Sequence, residues 1–229
     1  MSRLPGVLCA FLLVVSLAGC VRDDGPIVAA ALRGATTPVR LAVAAGDSIS
    51  TGFGADRGYV PRMAVLLDAR VVFSGAVNGA TASSMAAGQF RPDRMRWSSP
   101  DVVVIAIGTN DFLQAVPSGS YRRDLADLVR RTCGVVPDDA RVLLIHMYAL
   151  DADALHIRYP AEIPPGPREP WAAYGSMMAQ VAASSGVGYL DLSDLPVQLG
   201  SDGVHPDGVG HQRIADAVAG QVVSARSCA

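Results

Sequence analysis

The chain has 229 residues, half of them hydrophobic and 17% of them charged, so it is long enough to bury one substantial core. Its formal net charge of −2 provides no basic stripe that would hold a phosphate backbone, and we therefore expect no nucleic-acid partner. The sequence contains no lysine, which excludes a Ser–Lys dyad and a Schiff-base lysine.

The first 38 residues differ in character from the rest of the chain. Arg3 precedes an apolar stretch from Val7 to Leu17, and the tetrapeptide Leu-Ala-Gly-Cys ends at Cys20. This order resembles a bacterial lipoprotein signal peptide, whose cleavage would leave Cys20 as the lipidated N-terminus. A soluble-protein signal peptide and a membrane anchor are the alternatives, although the apolar stretch is too short for a membrane-spanning helix. The expected division is a signal peptide over 1–19, a tether over 20–38 and one domain over 39–229.

Beyond the tether, short apolar runs alternate with helical patterns. The runs suited to strands buried on both faces are Val39–Ala45, Arg70–Val77, Asp101–Ile107, Arg141–Ala149 and Val187–Leu192. Helices are predicted over Tyr59–Ala69, Ser120–Cys133, Pro170–Ala183 and Gly210–Ser224, and the Pro-rich residues 150–169 are predicted to run over the surface. This alternation predicts a five-stranded parallel sheet covered by helices on both faces.

Polar motifs follow the predicted strands. Ser48 ends a Gly-Asp-Ser triplet after the first strand, and Gly79 and Asn110 lie in the loops after the second and third strands. Asp202 and His205 share the segment Ser-Asp-Gly-Val-His-Pro before the terminal helix. Because ligands bind at the carboxyl ends of parallel strands, we expect these residues to lie together at one edge of the sheet.

These residue types are the ones that acyl transfer requires. A serine hydroxyl becomes a nucleophile when a histidine takes its proton, and an acceptor such as Asp202 holds that imidazole in the required tautomer. The backbone N–H groups of Ser48 and Gly79 and the amide of Asn110 are the candidate donors to the oxyanion. We expect glycine at position 79 to allow a close approach of the backbone.

Two further acidic residues in these loops are interpreted as structural. Asp47 is expected to bond nearby amides and shape the turn, and Asp111 to cap the segment that follows it. Neither is placed among the catalytic residues.

The cysteines give a second expectation that depends on export. If Cys20 carries lipid and Cys9 leaves with the signal peptide, Cys133 and Cys228 are the two unmodified thiols. In an oxidising compartment they can form a disulfide. A buried thiol at Cys133 and an unpaired Cys228 in the tail are the alternative.

The motifs in this order resemble the GDSL-type SGNH hydrolase family, whose four named positions correspond to Ser48, Gly79, Asn110 and His205. Asp202 matches the usual acidic partner. The resemblance implies a flavodoxin-like three-layer α/β/α sandwich, hydrolysis of esters or related acyl bonds, and neither a metal nor an organic cofactor. Here Gly-Asp-Ser-Ile replaces the commoner Gly-Asp-Ser-Leu, and Ala80 stands where many members carry a polar residue.

We therefore expect an esterase or lipase-like enzyme that works through an acyl-enzyme. It is expected to be a monomer that acts on a small-molecule, lipid or carbohydrate ester. Its expected location is the cell envelope, where the lipid at Cys20 would anchor it to the membrane, facing the extracytoplasmic side. An O-acyltransferase or deacetylase acting on envelope carbohydrate or lipid is one alternative. A lipid-anchored binding module without turnover is another.

Overall fold

The computed structural model describes residues 38–164, 167–222 and 224–228. The predicted signal peptide, the predicted lipidation site at Cys20 and all of the tether except Pro38 lie outside the described residues. Within the described residues, no helix is both long and apolar enough to span a membrane.

The centre of the molecule is a parallel sheet with the strand order β2-β1-β3-β4-β5. Its strands are β1 (Val39–Gly46), β2 (Ala69–Ala76), β3 (Val102–Ala106), β4 (Arg141–His146) and β5 (Gly188–Asp191). Each neighbouring pair in this order is parallel. The predicted sheet is therefore confirmed, although β4 ends three residues before its predicted end at Ala149.

A sixth strand was not predicted. β6 (Arg226–Ser227) runs antiparallel to β4, where it pairs with Arg141 and Val142. β5 begins its pairing with β4 only at Leu143, so β6 occupies the vacant edge beside the first residues of β4. With two residues, it is too short to give a periodic signal in the sequence.

Nine α-helical segments connect or cover these strands within the described residues. They are α1 (Ser48–Thr51), α2 (Tyr59–Leu66), α3 (Ala82–Ser84), α4 (Pro92–Ser98), α5 (Thr109–Leu113), α6 (Ser118–Cys133), α7 (Ala152–Arg158), α8 (Trp171–Ser184) and α9 (Gly208–Val222). A π-helical turn, Met85–Gln89, follows α3. The predicted surface excursion therefore contains a short helix, α7, whose N-cap Asp151 accepts bonds from two backbone amides.

The sheet separates two hydrophobic layers, because successive side chains of a strand point to opposite faces. In β1, Leu41 and Val43 join the layer that contains buried residues of α2 and α9. Ala42 and Ala44 join the other layer, which contains buried residues of α6 and α8. This arrangement is the predicted α/β/α sandwich, and it leaves the carboxyl ends of the strands free to carry loops.

The structure contains the Cys133–Cys228 disulfide, with the two Cα atoms 5.7 Å apart. It joins the end of α6 to the residue that follows β6. Of the two alternatives for these cysteines, the disulfide is therefore the one observed.

Candidate active site

Ser48 lies at the first position of α1, two residues after the end of β1 at Gly46. Asp47 caps this helix, because its Oδ1 accepts a hydrogen bond from the backbone N–H of Ile49 at 2.9 Å. A side chain at Gly46 would place its Cβ 2.5 Å from the hydroxyl of Ser50, so the turn requires glycine there. The predicted structural role of Asp47 is confirmed, and the turn presents Ser48 at the edge of the sheet.

Ser48, His205 and Asp202 form a continuous chain of hydrogen bonds. The Oγ of Ser48 is 2.8 Å from the Nε2 of His205, and the Nδ1 of His205 is 2.6 Å from the Oδ2 of Asp202. An ionised carboxylate can only accept, so Nδ1 carries the proton and Nε2 is free to accept from the serine hydroxyl. The arrangement therefore holds the imidazole in the tautomer that a general base needs.

Asp202 is itself held by its own turn. Its Oδ1 accepts from the backbone N–H groups of Val204 and His205, each at 2.9 Å. Partial burial acts to raise the pKa of Asp202, but the hydrogen bonds from His205 and Val204 outweigh it and lower that pKa. The carboxylate therefore remains ionised beside the imidazole at neutral pH.

Two tyrosines fix the backbone of this turn. The hydroxyl of Tyr148 donates to the carbonyl of Val204 at 2.7 Å, and the hydroxyl of Tyr159 donates to the carbonyl of Asp202 at 3.1 Å. Sequence reasoning missed both tyrosines because they lie 56 and 43 residues from their partners. No local pattern reports a contact at such a separation.

The candidate oxyanion donors occupy the facing loops. Gly79 has φ of +74°, a left-handed conformation that favours glycine, while no described atom lies within 4 Å of the place a Cβ would take. The backbone angle therefore favours glycine at this position, and the close approach of this backbone to a substrate oxygen stays a prediction. The Nδ2 of Asn110 donates to the carbonyl of Ala80 at 3.0 Å, which leaves its second N–H for another acceptor.

These groups meet around one shallow cavity of about 240 Å³. Its lining residues are Ser48, Phe53, Asn78, Gly79, Asn110, Val204 and His205. The ring of Phe53 packs against the imidazole of His205 with 4.8 Å between their centroids, and half of Phe53 remains exposed. The five predicted catalytic and oxyanion residues thus lie together, with Asp202 directly behind His205.

Two residues next to Ser48 and Asn110 in the sequence, Asp47 and Asp111, carry buried carboxyl groups. Burial raises the pKa of Asp47 to about 6 and that of Asp111 to about 7. Asp111 was expected to cap the segment that follows it, and this expectation is wrong. Its two oxygens accept from the backbone N–H of Ala82, at 3.2 and 3.0 Å, in a different loop.

Comparison with known proteins gives one sequence family and a group of solved structures. The model of the GDSL-like lipase/acylhydrolase family matches residues 44–213. No curated protein sequence matches the chain.

The similar solved structures include two esterases and the protein TesA. The acetylxylan esterase Axe2 from Geobacillus stearothermophilus is 21% identical with a TM-score of 0.60, and the match covers 80% of this chain and 94% of that one. The esterase EstA from Pseudoalteromonas sp., solved with monoethylphosphonate as inhibitor, is 17% identical with a TM-score of 0.58 over 78% of this chain and 96% of that one. The protein TesA is 21% identical with a TM-score of 0.55, over 78% of this chain and 95% of that one. At these identities the likeness establishes the shared fold.

Proposed function

Because this chain belongs to the GDSL-like lipase/acylhydrolase family, we propose that it hydrolyses carboxylic esters through an acyl-enzyme formed on Ser48. The observation that carries this proposal is the unbroken hydrogen-bond chain from the Ser48 hydroxyl through His205 to Asp202. A serine at the edge of a sheet has no packing reason to contact an imidazole that is itself bonded to a carboxylate. The three groups in this order are the parts of a serine hydrolase.

The chemistry of the first half-reaction follows from these contacts. The Oγ of Ser48 attacks the ester carbonyl while the Nε2 of His205 takes its proton, and the imidazolium that forms is stabilised by Asp202. The carbonyl oxygen becomes an oxyanion, for which the backbone N–H groups of Ser48 and Gly79 and the free N–H of Asn110 are the proposed donors. His205 then gives its proton to the leaving alcohol, and the acyl group stays on Ser48.

Deacylation uses the same groups with water as the nucleophile. His205 takes a proton from water as the water attacks the acyl-serine, and returns it to Ser48 as the carboxylic acid leaves. A sugar hydroxyl in place of water would give transfer to that hydroxyl. Product analysis with and without a carbohydrate acceptor separates hydrolysis from transfer.

We propose short acyl esters of carbohydrates as the first substrates to examine. Axe2, one of the structural neighbours, is an acetylxylan esterase. The cavity of about 240 Å³ above Ser48 suits a small acyl group, and half-exposed Phe53 provides an aromatic face at its rim. A series of aryl esters from acetate to octanoate should show the highest kcat/KM for the shortest acyl chains. The highest kcat/KM with octanoate would overturn the proposal.

We also propose that the enzyme is exported and anchored to the membrane through lipid on Cys20. The Leu-Ala-Gly-Cys segment supports this, and a disulfide between Cys133 and Cys228 is compatible with an oxidising compartment. Mass spectrometry of protein from its native host should find a mature N-terminus at Cys20 with added diacylglyceryl mass. Cys20→Ser should release the protein from the membrane, and an unmodified chain that begins elsewhere would overturn this proposal.

The decisive experiment for the acyl-enzyme is covalent labelling by an alkyl fluorophosphonate. Phosphorus bonds to the nucleophilic oxygen and fluoride leaves, so one adduct should appear by mass spectrometry on the peptide that contains Ser48. Ser48→Ala should abolish labelling and turnover. Ser50→Ala is the matched control and should still be labelled at Ser48. Ser50 lies in the same helix, but its hydroxyl is buried and lies 3.0 Å from the hydroxyl of Tyr59. A folded Ser48→Ala protein that hydrolyses esters at the wild-type rate would refute the proposal.

A further inference from the structure

We propose that Asp111 is a positioning residue of the oxyanion hole, whose buried carboxyl group ties the loop carrying Gly79 to the helix carrying Asn110. This inference rests on the proposed function, because it assigns Gly79 and Asn110 to the hole. Asp111 does not line the cavity around Ser48, so it acts through other residues and does not touch the substrate.

Two hydrogen bonds from neighbouring residues of α5 hold the loop that follows β2. The amide of Asn110 donates to the carbonyl of Ala80, and the N–H of Ala82 donates to the carboxyl group of Asp111. Ala80 and Ala82 lie one and three residues after Gly79 along the chain. The pair of bonds therefore fixes this segment of backbone relative to α5, and with it the direction of the Gly79 N–H.

A local capping box accounts for the amides of Thr81 and Ser84 but not for that of Ala82. Thr81 and Ser84 form a capping box, in which the N–H of Ser84 donates to Thr81 Oγ1 and the N–H of Thr81 donates to Ser84 Oγ. This box satisfies the two ends of α3 and leaves the first amide of the helix, at Ala82, without a local acceptor. Asp111 supplies that acceptor from 29 residues away.

The choice of a carboxyl group for this task is energetically unfavourable. Asp111 is fully buried, and burying an ionisable group costs free energy unless a charge or several donors compensate it. The neighbouring carboxyl of Asp47 adds electrostatic repulsion. Costly buried polar groups of this kind persist where they fix a geometry that function needs, and the geometry fixed here is that of the proposed oxyanion hole.

The other side of α5 is held as well, so Asp111 completes a rigid frame. Gly108 precedes α5 with φ of +132°, and a Cβ at this position would lie 2.9 Å from the hydroxyl oxygen of Tyr121. That hydroxyl donates to the carbonyl of Ile107 at 2.9 Å. Tyr121 thus holds the residues that lead into α5, and the bonds from Asn110 and Asp111 connect α5 to the Gly79 loop.

The test compares Asp111→Ala and Asp111→Asn in the full chain, with kcat and KM for an aryl acetate as readouts. Asp111→Ala should lower kcat roughly 10- to 10²-fold, as expected when donors are displaced by about 1 Å, while KM changes less than about twofold. Asp111→Asn should recover most of that loss, because its amide oxygen can still accept from Ala82. Asp101→Asn is the matched control, since Asp101 also accepts a backbone N–H, that of Arg40 at 2.7 Å, but at the amino end of the sheet. It should keep the wild-type kcat.

A second measurement separates positioning from general stability. In an Asn110→Ala background the oxyanion hole is already impaired, so Asp111→Ala should lower kcat by a smaller factor than in the wild type. Equal factors in both backgrounds, or a folded Asp111→Ala protein with wild-type kcat, would overturn the inference. If Asp111→Ala does not fold, Asp111→Leu, which fills a similar volume but offers no acceptor to the N–H of Ala82, carries the test, and wild-type kcat in folded Asp111→Leu would overturn the inference.

These outcomes are distinguishable from failure of the proposed function. Turnover by Ser48→Ala would refute the acyl-enzyme whatever the Asp111 variants do. Loss of activity in Ser48→Ala together with full activity in folded Asp111→Ala would overturn only the role of Asp111.

Discussion

The pKa values of carboxyl groups at the two ends of the sheet are shifted in opposite directions. At the amino end, Asp101 accepts from the backbone and guanidinium of Arg40, and these bonds outweigh partial burial to lower the pKa of Asp101. At the carboxyl end, Asp111 is fully buried without a cationic partner in the described contacts, and its pKa is raised to about 7. The charge of the Asp101 carboxylate is therefore compensated by Arg40, whereas ionisation of the buried Asp111 carboxyl group is energetically unfavourable.

The two ends also differ in the contacts that they contain. The amino end is secured by the Cys133–Cys228 disulfide and by β6, which pairs with the first residues of β4. The carboxyl end holds the loops that carry Ser48, Gly79, Asn110 and His205, which line one cavity. This difference indicates that the amino end supports stability and the carboxyl end supports chemistry, so changes at the two ends should affect different measurements.

The largest effect should come from removing the proposed nucleophile or its proposed base at the carboxyl end. Ser48→Ala and His205→Ala should each lower kcat by roughly 10⁶-fold, and the double variant should be little worse, because the two act as a unit. Thermal unfolding should change little, since neither side chain belongs to the hydrophobic layers. Steady-state hydrolysis with circular dichroism as the folding control provides the measurement. A double variant that loses the product of both factors would contradict the shared role.

A smaller effect is expected from the oxyanion side. Asn110→Ala removes one proposed donor and should lower kcat roughly 10²- to 10³-fold. The substitution also removes the hydrogen bond to the carbonyl of Ala80. The rate at which a fluorophosphonate labels Ser48 should fall in parallel with kcat. Asn78→Ala serves as a comparison, because Asn78 lines the same cavity but bonds to Thr51. An equal loss of kcat in both variants would contradict the assignment of Asn110 as an oxyanion donor.

At the amino end, loss of the disulfide should reduce stability and spare catalysis. The bond closes a loop over a separation of 95 residues, and the chain-entropy estimate for its contribution is about 4.7 kcal/mol. The Cys133→Ser/Cys228→Ser double variant should unfold at a lower denaturant concentration with wild-type kcat under native conditions. Wild-type protein treated with reductant should behave like that variant. A loss of kcat in the folded double variant would remove the division between the two ends.

Much of the carboxyl end was predictable from the sequence. Parallel strands place their following loops at one edge, so Ser48, Gly79, Asn110, Asp202 and His205 could be grouped from their order alone. The strands themselves were visible as apolar runs, because burial on both faces demands an unbroken series of apolar residues. Helix α6 was also predicted, but its start at Ser118 is fixed by Glu169, which accepts the N–H of Ser118 from 51 residues away.

The features that escaped prediction depend on contacts between distant segments. The short helices α1, α3 and α5 have three to five residues each, too few for a periodic pattern. The partners of Asp111, Tyr148 and Tyr159 lie in other loops, and a single sequence does not report such pairs. Asp111 was assigned a local cap because local bonding is the usual role of a short acidic side chain at the end of a strand.

The smallest expected effect comes from a buried histidine below the proposed active site. His211 is fully buried in α9, and its Nδ1 accepts the backbone N–H of Tyr59 at 3.2 Å, which only the deprotonated nitrogen can do. Burial, followed by the nearby charge of Arg62, lowers the pKa of His211 to about 4. The unfolded chain binds a proton near pH 6.5, whereas the folded one does so only near pH 4. Stability should therefore be independent of this group above pH 6.5 and fall as the pH drops towards 4, by an amount on the order of 3 kcal/mol.

His211→Asn keeps an acceptor for Tyr59 and does not titrate, so its unfolding free energy should decline less than that of the wild type between pH 7 and pH 4.5. Parallel declines in the two proteins, measured by denaturant unfolding, would show that His211 is not the titrating group, and would leave His146, whose pKa burial also lowers, as the next one to replace.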